Sequence, residues 1–317
     1  MARDLSNAVV VITGASSGIG RAAAHRFARA GARLVLAARS AEGLRETADE
    51  AQQLGAEALA VPTDVRDEAA VRALADRAVE RFGRLDVWVN CAGVIAYGRF
   101  ESVPGDVFRA VIETNLFGQV HGARAALPRF RAQRSGVLIN LSSVWGRVTA
   151  PEVSAYVTSK FAVRAFSECL RHELRDLPDV DVATILPQAV DTPIFAKSAN
   201  YRGLAVRPLP PLLDPEEVAD GIVRCARSPK REVTYKRMGR TIEVAHDFAP
   251  RLYGRILPAA FEAGNYGQRP TERTAGQVLE PLPGGRAIEG GWRRQRRRLV
   301  RALVDAFGGA LRGARGG

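Results

Sequence analysis

The segment Ala155–Lys160, AYVTSK, places a phenol and an ammonium four residues apart, Tyr156 and Lys160, at the head of a stretch with helical apolar spacing. Side chains at i and i+4 share a helix face, so the two would stand together. A free tyrosine titrates near ~10 and exchanges its proton poorly at neutral pH. A cation one turn away stabilises tyrosinate and is expected to lower that value. Reducing a carbonyl needs a hydride at carbon and a proton at oxygen, and such a pair can manage the proton. Taken alone, Y-x-x-x-K is better read as two amphipathic side chains with their tips in water. The other motifs decide between the two.

The stretch TGASSGIG, Thr13–Gly20, follows the apolar run AVVVIT and opens a helical pattern. At the carboxyl end of a parallel strand, such a turn presents bare backbone N–H groups and the positive end of a helix to a pyrophosphate. Gly14 allows the tight turn, Gly18 lets the phosphate approach, and Gly20 lets helix pack on strand. There is no G-K-[ST], which argues against a nucleoside-triphosphate site. The second strand ends AARS, with Ala38 where a NAD site usually carries an acidic residue, then Arg39 and Ser40. A guanidinium there can take a 2′-phosphate by charge-assisted hydrogen bonds, so NADP(H) is favoured over NAD(H).

TGASSGIG, NCAG at 90–93, Asn115, the serines of INLSS and Tyr156-x-x-x-Lys160 occur in the order of the short-chain dehydrogenase/reductase family. The chain resembles the compact, single-domain form of that family from about residue 5 to residue 195, and more loosely to about 240. The resemblance implies Tyr156 as general acid or base, Lys160 as its partner and holder of the nicotinamide ribose, and Asn115 as the holder of a proton-relay water. Ser143, 13 residues before Tyr156, is implied as the donor to the substrate oxygen, with Ser142 structural. It further implies cofactor contacts at Gly14, Ser16, Ser17, Gly18, Ile19, Gly20, Arg39 and Ser40. Asp64 and Val65 would meet the adenine, and Asn90, Ala92, Gly93, Pro187, Val190 and Thr192 would line the rest. Two departures stand out. Cys91 replaces the family's second Asn and is read as a packing residue, and Gln188 replaces the glycine of P-G-x-x-x-T.

The elements that must position these residues alternate. Strand-like runs at 8–13, 33–38, 58–61, 86–89, 136–141 and 180–185 are apolar almost throughout, as expected of parallel strands covered on both faces. Helical patterns at 18–30, 41–54, 67–82, 106–133 and 156–177 lie between them. This predicts an α/β fold, a Rossmann-like doubly wound parallel sheet in three αβα layers. A helix at 215–226 and a last strand near 233–235 complete a domain expected over 1–257, with a Pro-rich substrate loop at 193–214. From 258 to 291, eleven of 34 residues are Gly or Pro, which predicts irregular chain. Residues 292–317 regain an amphipathic stripe.

Apolar residues make up 46% and charged residues 25%, an ordinary globular balance. Three scattered cysteines favour a reducing compartment, and no Cys or His spacing suggests a metal. The sequence shows no signal-peptide design and no 18-residue apolar run, so a cytoplasmic protein is expected. Of the net charge of +12, nine arginines against Glu289 and Asp305 put +7 into the last 32 residues. Residues 292–317 therefore read as a solvated arm or as a peripheral contact with anionic membrane. Nucleic acid ranks last.

Val94–Tyr97, Val144–Trp145, Glu152–Val153 and Pro193–Phe195 are expected around an apolar carbonyl or alcohol substrate. Helices 106–133 and 156–177 resemble those through which the family forms dimers or tetramers. The competing readings are NAD-linked oxidation at the same site, and a cofactor-binding protein without turnover recruited through its tail.

Overall fold

The computed structural model describes residues 2–235, 248 and 250–294. The strands are β1 (Val9–Thr13), β2 (Arg33–Ala38), β3 (Ala58–Pro62), β4 (Val87–Asn90), β5 (Ala96–Tyr97), β6 (Gly136–Leu141), β7 (Val180–Leu186), β8 (Ala199–Asn200), β9 (Leu204–Val206), β10 (Glu232–Thr234) and β11 (Tyr266–Pro270). The helices are α1 (Gly18–Arg29), α2 (Ala41–Gln53), α3 (Glu68–Phe82), α4 (Gly105–Ile112), α5 (Gly118–Gln133), α6 (Ser154–Glu173), α7 (Pro215–Arg227) and α8 (Pro250–Asn265). Seven strands pair in the order β3-β2-β1-β4-β6-β7-β10, all parallel. This is the Rossmann-like three-layer sheet that the alternating pattern predicts.

Alternation along the strands feeds two cores. Val10 and Ile12 of β1 point to one face, with Phe27, Leu44 and Ile222 from α1, α2 and α7. Val9 and Val11 point to the other, with Leu74 and Phe130 from α3 and α5 and Leu170 from α6. Side chains at i and i+2 share a face, so one buried run serves both layers. The strand order reverses between β1 and β4, which opens a crevice at their carboxyl ends.

Three helices are capped by the side chain that precedes them. Ser40 accepts from Gly43 N, Asp67 from Ala69 and Ala70 N, and Asp214 from Glu216 N with Pro215 in the first turn.

Two expectations need correction. Residues 106–133 are not one helix: a π-helical turn, Glu113–Phe117, separates α4 from α5 and carries Asn115. A 3.6-residue pattern does not register one such turn. Nor is the chain irregular from 258. α8 runs through Pro258 to Asn265, anchored by buried Phe261 against Trp145 and Tyr266. β11 then pairs antiparallel with β9, from Tyr266 opposite Val206 to Pro270 opposite Leu204. Burial of one aromatic outweighs the helix-breaking composition. Of the amphipathic tail, only residues 292–294 are described, so its stripe lies outside the described residues. Among the described residues, no helix is long and apolar enough to cross a membrane.

A buried polar chain ties the sheet to α6. Trp88 Nε1 donates to Asn90 Oδ1 at 2.8 Å, Asn90 Nδ2 to Asn140 Oδ1 at 2.8 Å, and Asn140 Nδ2 to Ser167 Oγ at 2.9 Å. Gly122 of α5 lies against it, where a Cβ would overlap Asn90 Oδ1 and Trp88 Nε1. Gly→Ala in a helix ordinarily stabilises by about 1 kcal/mol. Overpacking costs about 1–3 kcal/mol, and a stranded buried polar group about as much again. Gly122→Ala is therefore expected to lower stability by roughly 1–3 kcal/mol, seen as a lower urea midpoint at unchanged m. A raised midpoint would contradict this packing account.

Candidate active site

The crevice is lined at one end by Gly14, Ser16, Ser17, Gly18, Ile19 and Gly20 and at the other by Ser143, Tyr156 and Lys160. Gly14 has φ +69, and a Cβ on it would stand 2.7 Å from Ala92 Cα, so the turn after β1 fits against the chain after β4 only without a side chain. Thr13 Oγ1 accepts from Cys91 N at 3.1 Å and Ala92 N at 3.3 Å, which fixes the two strand ends together. α1 has no capping side chain at Ser17 and no acidic residue in its first turn. Its leading edge thus keeps a positive character that suits a pyrophosphate, with Gly18 N already donating to Ala287 O at 3.1 Å. These features fit a dinucleotide.

Lys160 is buried, and its Nζ donates to Leu141 O at 2.9 Å. Nζ lies 5.5 Å from the centroid of the Tyr156 ring, so the helix does set ammonium and phenol together. Ser142 Oγ donates to Lys160 O at 2.8 Å, the structural role expected of it, although Ser142 also lines the crevice. Ser143 Oγ accepts from Trp145 N at 3.2 Å and hydrogen-bonds Tyr156. Asn115 is fully buried on the π-helical turn. Its Nδ2 donates to Val94 O and Ser159 Oγ, and its Oδ1 accepts from Val94 N.

Burial lowers the Lys160 pKa to about 8 and raises that of Tyr156 to about 12, a rise the Ser143 hydrogen bond partly offsets. The lowering is expected from the ammonium together with an oxidised nicotinamide; in the protein alone, loss of solvent is the largest influence on the phenol. Cys91 lines the crevice, and burial pushes its thiol up to about 12, so it stays neutral.

Arg39, Ser40, Asp64, Val65, Ala92, Gly93, Pro187, Val190 and Thr192 all line the same crevice. Two predicted residues do not: Asn90 belongs to the buried polar chain, and Asn115 lies behind Gly93, 3.5 Å from where its Cβ would be. Arg39 is engaged differently from the expectation. Its Nη2 donates to Gln277 O at 2.5 Å and its Nη1 to Leu279 O at 3.0 Å. Ser40 is spent on capping α2. Burial works against the Asp64 carboxylate, but Arg66, forked onto it at 2.6 and 2.9 Å, outweighs that and holds it below the usual range.

At the Tyr156 end the lining is apolar: Val94, Ile95, Tyr97, Val144, Trp145 and Pro193–Phe195, as expected. Glu152 and Val153 are not part of it. Val153 packs behind Ile95 and Tyr97, and Glu152 faces Arg202 at 3.6 Å. Leu209–Pro211, within the expected substrate loop 193–214, also line the crevice, and so do Asn265, Gln277, Pro281 and Leu282, which sequence reading missed. Gln188 Nε2 donates to Pro211 O at 2.7 Å and draws the first of these segments in. A glutamine at a glycine position was the available signal for that contact; distant irregular segments carry none.

The short chain dehydrogenase family model matches residues 8–202. The uncharacterized oxidoreductase YxnA of Bacillus subtilis (strain 168) is 33% identical over 313 residues, covering 95% of this chain and 86% of that protein. Dehydrogenase/reductase SDR family member 7B of Bos taurus is 35% identical over 263 residues, covering 79% and 80%. Among solved structures, an alcohol dehydrogenase from the archaeon Thermococcus sibiricus, complexed with 5-hydroxy-NADP, superposes with a TM-score of 0.63 at 31% identity, covering 73% of this chain and 97% of that one. A short chain dehydrogenase/reductase from Burkholderia phymatum, in complex with NAD, gives 0.70 at 26%, covering 86% and 99%.

The lysine shift has a consequence for stability. Lys160 falls from 10.5 to about 8 on folding, so between those values the unfolded chain binds more protons and stability rises with pH; below pH 8 this group contributes no slope. Lys160→Met abolishes that contribution. Across pH 8 to 10.5, the wild-type unfolding free energy is expected to climb relative to the variant by on the order of 3 kcal/mol. Parallel urea-derived profiles for the two proteins would contradict a buried ammonium.

Proposed function

Because the chain belongs to the short-chain dehydrogenase/reductase family, and so is an oxidoreductase on a nucleotide-binding fold, we propose that it interconverts a carbonyl and an alcohol on an apolar small molecule using NADP(H). The observation that carries this reading is Tyr156 against Lys160, with Ser143 on the phenol, at the apolar end of a crevice whose other end is a glycine turn. A nicotinamide, when bound, supplies or accepts the hydride. Tyr156 gives the proton to the substrate oxygen, and Ser143 donates a hydrogen bond to that oxygen. With its pKa raised by burial to about 12 the phenol is protonated at neutral pH, the form that reduction uses. Lys160, near 8, titrates close to working pH and can restore that proton while another of its N–H groups holds the ribose. Asn115, turned to Val94 and Ser159, positions the chain behind Lys160.

Ile95, Tyr97, Trp145, Ile194, Phe195 and Leu209 leave no ionic partner at the reacting end, so the substrate is apolar around its carbonyl. The exposed Phe117 on the turn before α5 and Phe161 on α6 support assembly through those helices. A second reading, NAD as cofactor, has its own observation: the Nη atoms of Arg39 already serve backbone carbonyls. The 2′-phosphate, a charged acceptor, competes well with a neutral carbonyl, and this keeps NADP(H) first.

Tyr156→Phe is expected to cut NADPH oxidation with apolar aldehydes, ketones or quinones by about 10²–10⁴-fold while NADPH still binds. Full activity in that variant would remove Tyr156 from the reaction. NADPH binding without turnover by the wild type on any of the panel would instead favour the non-catalytic reading. Arg39→Ala is expected to weaken NADPH about 10–100-fold, the worth of one charge-assisted contact, and to leave NADH nearly unchanged. Equal losses for both, by titration, would favour NAD.

A further inference from the structure

The segment from Ala275 to Arg293 lies across the crevice and is fastened on three sides. At its start, Gln277 N donates to Lys197 O at 2.9 Å, and Val278, fully buried, packs with Val94 and Val107. The carbonyls of Gln277, Val278 and Leu279 then receive Arg39 from the end of β2, and Leu279 O also receives Arg66 Nη2 at 3.3 Å from beyond β3. Residues 280–285 are mostly exposed. The chain next fastens on α1 and α2, where Arg21 Nη1 donates to Arg286 O at 2.7 Å, Gly18 N to Ala287 O at 3.1 Å, and Arg286 pairs with Glu42 at 2.6 Å.

The last fastening lies beside the loop after β7. The carboxylate of Asp191, fully buried, accepts from Trp292 N and Arg293 N at 2.9 Å each, and Asp191 O accepts from Gly290 N at 3.1 Å. Arg293 pairs with Asp214, and the Trp292 ring meets Phe195 edge-on.

This segment is a wall of the crevice, and at Ala287, whose carbonyl takes the N–H of Gly18, it also occupies one donor of the glycine turn. Gln277, Pro281 and Leu282 line the same space as Gly14, Arg39 and Asp64. In a doubly wound sheet the ends of β2 and β3 receive the adenosine half of a dinucleotide. We propose that residues 275–293 form a strap that closes over the adenosine side of the crevice, so that Gln277, Pro281 and Leu282 are dinucleotide contacts and the strap must lift for the dinucleotide to enter or leave. The inference rests on the dinucleotide reading above. The carbonyls gripping Arg39 hold its guanidinium in the crevice lining.

The test uses the full chain and NADPH. Hydrogen exchange followed by mass spectrometry is expected to slow across 277–293 when NADPH binds, because a filled crevice holds the strap shut. Unchanged or faster exchange there would overturn the proposal; faster exchange would mean that strap and dinucleotide compete. Gly276 has φ +53, and a Cβ on it would overlap the carbonyl oxygens of Lys197 and Ser198, so Gly276→Val lifts the strap at its start without touching the glycine turn or Tyr156. The rate of NADPH release, read by stopped-flow fluorescence, is expected to rise about tenfold or more, the worth of one or two lost hydrogen bonds. A release rate within twofold of wild type would refute the strap. If neither NADPH nor NADH binds the wild-type chain, the dinucleotide reading falls and takes this inference with it, whereas binding with an indifferent strap sinks the inference alone.

Discussion

The site depends on keeping one ammonium out of water. Lys160 retains 4% of its exposure and has, among the described residues, a single close protein acceptor, the carbonyl of Leu141 at the end of β6. A buried charge is tolerated only where its surroundings are fixed and polar. Those surroundings are over-determined here. Ser142 holds the carbonyl of Lys160 itself, Gly146 has no side chain to push that carbonyl away, and Asn140 holds Ser167 two turns along α6. Gln119 Nε2 fastens Leu141 O from α5 at 2.9 Å, so the acceptor is oriented as firmly as the donor. The chain from Trp88 to Ser167 is thus part of the site, although only its last member lies on the helix that carries Tyr156.

Burial moves the two titrating groups in opposite directions, and the outcome suits them to different tasks. Desolvation penalises whichever form is charged, so the phenol becomes a weaker acid and the ammonium a stronger one. The values move from 10.0 and 10.5 to about 12 and about 8, so at neutral pH the phenol is protonated and the ammonium stands closer to its titration. The hydrogen bond from Ser143 partly offsets the rise of the phenol. Cys91, which lines the same crevice, is pushed up by burial, and its charge and that of Lys160 act on each other as a smaller effect.

Motifs that are short in sequence were legible, because each acts through its own backbone or one helical turn. TGASSGIG, Tyr156-x-x-x-Lys160 and Ser143 could be placed from spacing and resemblance, and the alternating runs predicted the sheet. Asn115 was found by position, but the π-helical turn that presents it leaves no trace in apolar periodicity. The rise in the Tyr156 pKa was not legible because a sequence displays a neighbouring charge and does not display the solvent a fold removes. The strap was invisible for a further reason. Its hydrogen bonds join residues far apart in the sequence, 238 positions for Arg39 to Gln277, and many use backbone carbonyls, which every residue type offers alike. Gly and Pro in 258–291 read as an absence of structure, whereas Gly276 and Gly290 are small because other chain passes against them.

The same fastening changes the meaning of the C-terminal charge. Counted along the sequence, the nine arginines of the last 32 residues suggest one basic surface. In space, Arg286 is paired with Glu42 and Glu46, Arg293 with Asp214, and Arg294 with Glu289. The acidic partners of Arg286 sit on α2, beside the crevice, and that of Arg293 caps α7. Exposed pairs of this kind contribute little stability singly while fixing register together. An attraction of this extension to an anionic surface therefore has to come from the arginines from Arg296 onward, which lie outside the described residues. The charge that precedes them belongs to the strap, where its work is to hold the chain against the crevice.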